Sequence, residues 1–76
     1  MYAYILIQTA VGKQGDVSTE IGRLEGVISA DPVTGPYDVV VRAESRSLDE
    51  MGRGVLARIE AVEGITRTLT CPVVTF

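Results

Sequence analysis

The sequence predicts an α+β domain with the element order β-α-β-β-α-β, in which an antiparallel four-stranded sheet of strand order 4-1-3-2 carries two helices on one face. Three observations lead there. Stretches rich in β-branched residues alternate with stretches whose apolar residues recur every three or four positions. A weak internal repeat, Ile21-x-x-Leu24-Glu25-Gly26-Val27 and again Ile59-x-x-Val62-Glu63-Gly64-Ile65 at an offset of 38, divides the 76-residue chain into two halves of strand, helix and strand. Between the halves, Val33-Thr34-Gly35-Pro36-Tyr37-Asp38 reads as a tight turn, with glycine where φ is positive and proline where φ is fixed near −65°.

Each element follows from local chemistry. Residues 4–9 (Tyr-Ile-Leu-Ile-Gln-Thr) form a β-prone run closed by Gly12 and Gly15, the first strand. From Asp16, a plausible N-cap, Val17, Ile21 and Leu24 fall at helical spacing, and Gly26 stands where a helix end favours positive φ. The second strand starts at Val27-Ile28-Ser29-Ala30. Pro32 cannot donate to a ladder and so implies an edge, a bulge or an outward N–H direction. Residues 37–44 make the third strand. The second helix is expected over 48–62, because Ser47-Leu48-Asp49-Glu50 matches a capping box and Leu48, Met51, Val55, Ile59 and Val62 follow at three- and four-residue steps. Gly52 and Gly54 each cost that helix about 1 kcal/mol relative to alanine. Close approach to the sheet or to a neighbouring subunit would explain them; fraying is the alternative. Residues 65–74 form the last strand, with Thr66, Thr68 and Thr70 on one face and Ile65, Arg67, Leu69 and Cys71 on the other.

This is the split βαβ or ferredoxin-like arrangement, and it makes a demand on the surface. Ile5-Leu6-Ile7 and Val39-Val40-Val41 place apolar side chains on both faces of the sheet, but the helices cover one. The bare faces of two copies are therefore expected to pack together in a homodimer of the dimeric α+β-barrel type. Size points the same way, since a core this small rarely supplies more than roughly 3–5 kcal/mol without staples. Cys71 is the only cysteine and there is no histidine, so neither a disulfide nor a zinc site is available.

Ten acids against seven bases give a net charge of −3 with no dense basic cluster, which argues against nucleic-acid contact by this domain. No apolar run approaches the ~20 residues of a membrane span, and the first residues lack the basic start of a signal peptide. A cytoplasmic protein with Cys71 reduced is expected. Catalytic constellations are missing too: no P-loop, no G-x-G-x-x-G after a strand, no carboxylate dyad, no metal-ligand spacing. No cofactor is called for. Cys71 reads as a small buried apolar residue, and the three threonines as β-formers whose hydroxyls could also donate to a ligand carboxylate. Asp38 has two readings: it caps the turn through the backbone, or with the turn N–H groups it holds a small zwitterion.

The G-x-Y-D turn at Gly35, Tyr37 and Asp38, the Val-Val-Val strand, the long second helix, and Glu63-Gly64-Ile65-x-x-Thr68-x-Thr70 together resemble the effector-binding (RAM) domain of the Lrp/AsnC transcription regulators. The resemblance spans essentially the whole chain. It implies sheet-to-sheet dimers that assemble into rings of four or five, an octamer or decamer, with a free amino acid bound where two dimers meet. Gly35, Tyr37 and Asp38 would form the turn side of that pocket, with Thr34 beside them, and Thr68 and Thr70 of a neighbour would form the strand side. Pro36 removes one N–H from this cradle. The regulators also carry a helix-turn-helix domain, whereas this chain starts at the first strand, as a stand-alone version of the effector domain would.

The expectation is thus a regulatory amino-acid-binding module, without catalysis, that co-assembles with full-length regulators of the same family. A ring-forming subunit without ligand is the alternative. A dimeric α+β-barrel monooxygenase or isomerase shares the topology but usually has histidine in its cavity, and the related ACT domain keeps a glycine after its first strand, as Gly12 and Gly15 do here.

Overall fold

Alternation along the first strand sets the layering of the molecule. In the computed structural model, which describes residues 1–76, the strands are β1 (Tyr2–Thr9), β2 (Val27–Pro32), β3 (Val39–Glu44) and β4 (Ile65–Pro72). Helix α1 spans Gln14–Ile21; helix α2 comprises an α-helical turn Leu48–Glu50, a π-helical segment Met51–Leu56 and a closing α-helical turn Ala57–Glu60. All strand pairs are antiparallel and the order is β2-β3-β1-β4, the expected one read from the other edge. Ala3, Ile5 and Ile7 of β1 and Val39, Val41 and Ala43 of β3 point one way and are buried with Val17 and Ile21 of α1 and Met51, Val55 and Ile59 of α2. Both helices therefore cover one face. β-α-β-β-α-β is the observed fold.

Several boundaries move, each for a visible reason. β1 begins two residues earlier than expected, because Tyr2 pairs with Glu44 and the N-terminal ammonium donates to the Ser45 carbonyl at 2.9 Å. α1 starts from Lys13, so Asp16 is not its cap; it lies in the first turn, where the helix dipole favours a carboxylate. The helix stops at Ile21, and Gly26 serves a separate turn closed by the Val27 N–H on the Leu24 carbonyl. Pro32 ends β2, and β2 is an edge strand, the first of the three placements its proline allows. β3 starts at Val39, which leaves Tyr37 and Asp38 in the turn.

α2 is capped as its sequence says: the Ser47 hydroxyl accepts the Glu50 N–H at 3.1 Å. The return bond differs, since the Glu50 carboxylate takes the Arg46 N–H rather than that of Ser47. Leu48, expected on the apolar stripe, is exposed; Met51, Val55, Ile59 and Val62 are buried. Gly52 is not explained by the sheet, because a methyl group there would meet nothing within 4 Å. The two glycines instead fall inside the π-helical stretch, whose wider turn keeps residues four apart on the core side.

In β4 a bulge at Thr66 corrects the expected faces. Gln8 pairs with Arg67 but Thr9 with Ile65, so Ile65 joins the core side with Thr68 and Thr70. Arg67, Leu69 and Cys71 stay on the other face, and Cys71 is exposed rather than buried.

Candidate functional site

The turn between β2 and β3 is held by more hydrogen bonds than its sequence announces. The Val33 N–H donates to the Asp38 carbonyl at 2.9 Å and closes the loop, while the Asp38 N–H donates to the Ile7 carbonyl of β1 at 2.8 Å. Gly35 has φ +144°, a glycine conformation, and stands in open space. The Pro36 carbonyl, one residue on, accepts from Gln8 Nε2 at 3.0 Å. Thr34 is exposed; Tyr37 and Asp38 are half-buried.

Asp38 does more than cap its own turn. Its Oδ2 accepts the Thr9 N–H at 2.7 Å and the Thr9 hydroxyl at 3.3 Å, which fastens the turn to the end of β1. Both bonds fall on one oxygen. Oδ1 has no partner within the chain and remains able to accept from a cation such as an ammonium group. Gln14, the first residue of α1, completes the frame: its Nε2 donates to the Val33 carbonyl and to the Asp38 carbonyl, each at 2.7 Å.

Thr68 and Thr70 lie across β1 from this turn. They pair with Ile7 and Ile5, so they share the helix-covered side of the sheet and are half-buried at the β4 edge. Thr68, Ile7 and Val39 stand side by side in successive strands. Two strand spacings, roughly 10 Å, therefore separate the threonine row from the strand that Asp38 precedes. One chain thus holds Thr34, Gly35, Tyr37 and Asp38 together and Thr68 and Thr70 together, but does not close one group on the other. Thr9, Gln8 and Gln14 went unnoticed in the sequence. Gln14 carried one legible signal, a long amide next to Gly15 at the expected helix start, yet its partners lie 19 and 24 residues away.

The largest concavity is elsewhere. An open cleft of about 920 Å³ runs beside the first half of α2, lined among others by Glu25, Glu44, Glu50, Arg46, Arg53 and Arg58. Some of its charges are engaged: Arg53 Nε sits 3.0 Å from Asp49, Arg58 donates to the Glu25 carbonyl, and Glu50 accepts the Arg46 N–H.

On the sheet's uncovered side, Tyr2, Tyr4, Leu6, Val40, Leu69 and Cys71 form a continuous, largely apolar surface, with Tyr4 43% and Leu69 41% exposed. Arg42 lies over the Tyr2 ring, 5.1 Å from its centroid. The Glu44 carboxylate, opposite Tyr2 in the ladder, favours the neutral phenol and raises it above its ordinary pKa of 10.0. No helix is long and apolar enough to cross a membrane.

Known proteins resemble this chain in sequence and in shape. The HTH-type transcriptional regulator FL11 of Pyrococcus abyssi is 32% identical over 66 residues, covering 84% of this chain and 44% of that regulator; the chain thus spans less than half the length of this relative. The crystal structure of FFRP-DM1 superposes with a TM-score of 0.87 at 29% identity, covering 96% of this chain and 97% of that one. The L-Met complex of the transcriptional regulator NMB0573 from Neisseria meningitidis shares the fold, with a TM-score of 0.83 at 18% identity over 97% of this chain and 49% of that one. Across residues 2–75 the sequence matches the family model of the Lrp/AsnC ligand binding domain, and the chain belongs to that family.

Proposed function

We propose that this chain is a cytoplasmic amino-acid-binding regulatory module that senses without catalysing. The observation that carries the reading is the division of labour in Asp38, whose Oδ2 fixes the turn while Oδ1 stays free for the ligand's ammonium. The turn around Thr34, Gly35 and Tyr37 supplies the rest of the cradle. Thr68 and Thr70 of a neighbouring subunit donate to the ligand carboxylate, because within one chain β1 stands between the two groups. Family membership supports a ligand-binding role, and NMB0573, a relative in fold, forms a complex with L-Met.

The uncovered sheet face supports pairing. A second copy laid on Tyr4, Leu6, Val40 and Leu69 removes from water the apolar surface that the helices leave bare. Dimers then assemble into a ring, octamer or decamer, that brings the turn of one to β4 of the next. Since FL11 carries a matching segment, longer regulators of the family are the natural partners for mixed assembly.

Thermal unfolding against the twenty free amino acids tests this, with native mass spectrometry on those that act. A ligand that prefers the folded assembly adds about 2.7 kcal/mol per site at a hundred times its Kd. Asp38→Asn is the informative variant. Its amide oxygen can replace Oδ2 toward Thr9, but its NH2 then meets the ligand's ammonium, so the turn persists and the response is lost. If no amino acid shifts the parent while the ring is intact, the chain is an assembly-only subunit; if Asp38→Asn responds like the parent, Asp38 is not the ammonium partner.

A further inference from the structure

We infer that Gln14 is a positioning residue for the ligand turn: its side-chain amide latches residues 33–38 into the shape that receives the amino acid. This rests on the reading of the turn as the ligand cradle. A primary amide has two hydrogens, and both are used here, one on the Val33 carbonyl and one on the Asp38 carbonyl, each at 2.7 Å. Those carbonyls belong to the residues that open and close the turn, and the Val33 N–H already donates to the Asp38 carbonyl. Gln14 thus bridges the two stems of the turn on the side where β2 and β3 have ceased to pair, since Pro32 and Val39 form the last rung.

Position in the fold makes the latch more than a turn-stabilising bond. Gln14 opens α1, and the loop that precedes α1 is bonded to the residue before β4 through the Ala10 N–H on the Gly64 carbonyl at 2.8 Å. One short connection, residues 10–14, therefore reaches both the turn and the approach to β4. Asp38, meanwhile, is tied to Thr9, the last residue of β1. The turn is clamped from both ends of that connection, by Thr9 just before it and by Gln14 at its close. A cradle set beforehand lowers the fraction of unproductive turn conformations, and apparent affinity scales with the competent fraction.

Gln14→Met keeps the length of the side chain and removes both donors; Gln14→Glu keeps the shape and turns an acceptor toward two carbonyls. Hydrogen exchange at the Val33 amide, binding of whichever amino acid shifts the parent, and the urea midpoint are measured on both variants. Faster exchange at Val33, with exchange in the α2 core unchanged and affinity about tenfold weaker, is the expected result. Unchanged exchange overturns the latch whatever happens to binding. Faster exchange with parental affinity overturns its role in positioning. Should the parent itself bind none of the twenty amino acids, the proposed function fails separately, and the Val33 exchange still decides whether Gln14 holds the turn.

Discussion

The two halves of the chain repeat one device and part company at their helix starts. In each, a fully buried isoleucine, Ile21 or Ile59, is followed five residues later by a glycine of positive φ, Gly26 at +90° or Gly64 at +99°. Neither glycine serves its own helix. A methyl group on Gly26 would stand 2.5 Å from Val55 Cγ2 of α2, and one on Gly64 would stand 3.1 Å from Val17 Cγ2 of α1. Each half thus leaves room for the helix of the other, and the halves interlock. At the helix starts the symmetry ends. Ser47 caps α2 through its own side chain, whereas Lys13 gives α1 no side-chain cap and Gln14 reaches away from the helix to the turn between β2 and β3. The half that forgoes local satisfaction is the one beside the candidate site, which is where departures from local rules are expected.

Breaking the interlock has the largest effect. Gly26→Ala adds a positive-φ cost of roughly 1–2 kcal/mol to overpacking of roughly 1–3 kcal/mol, about 4 kcal/mol in all, against a branched side chain that has little freedom to move. Gly64→Ala meets Lys13 Cβ and Val17 Cγ2 at 3.1 Å rather than 2.5 Å, so a smaller shift relieves it, at about 2–3 kcal/mol. Urea midpoints of the two variants at one protein concentration check the ranking. Equal losses would mean that backbone strain alone matters and that the cross-packing does not.

How much of this could be read beforehand depends on the range of the interaction. The capping box, the buried spacing of Met51, Val55 and Ile59, and the four-strand order were legible because helix and strand periods are local and the repeat relates the halves. The π-helical stretch was not, although Gly52 and Gly54 marked the place, since low helix propensity says that a helix is weak and not how it deforms. Ile65 went to the wrong face because a one-residue bulge inverts every alternation beyond it. In the site, the turn and its glycine were visible, but the bond from Asp38 to Thr9 crosses 29 residues and leaves no periodic trace. Thr68 and Thr70 kept their common face, yet no single-chain pattern could show that β1 separates them from the turn.

The helix starts give a middle-sized contrast. Ser47→Ala removes the side-chain acceptor from Glu50 N–H and costs about 1 kcal/mol, the usual worth of such a cap. Lys13→Ala removes no cap and retains the Cβ that borders Gly64, so its effect stays within about 0.5 kcal/mol. Denaturant titration of both resolves the difference; a loss at Lys13 equal to that at Ser47 would show that the Lys13 side chain supports α1 as much as a cap does.

The smallest effect lies on the seam where the first strand of one half pairs with the first strand of the other, Tyr2 opposite Glu44. Here the halves are linked by charge rather than shape. The Glu44 carboxylate raises the Tyr2 pKa above 10.0, while Arg42 pulls the other way. A group whose pKa is higher folded than unfolded stabilises fully below the unfolded value, and the stabilisation disappears as pH climbs through the folded one. The contact is therefore whole at neutral pH and is lost only above pH 10, where the phenolate would face the Glu44 carboxylate. Glu44→Gln keeps an acceptor beside the hydroxyl but removes the charge, so Tyr2 should ionise nearer its ordinary value, read as absorbance at 295 nm against the Tyr2→Phe variant. An identical titration in parent and Glu44→Gln would show that the carboxylate's charge does not reach the phenol, leaving the halves joined along this seam by the ladder alone.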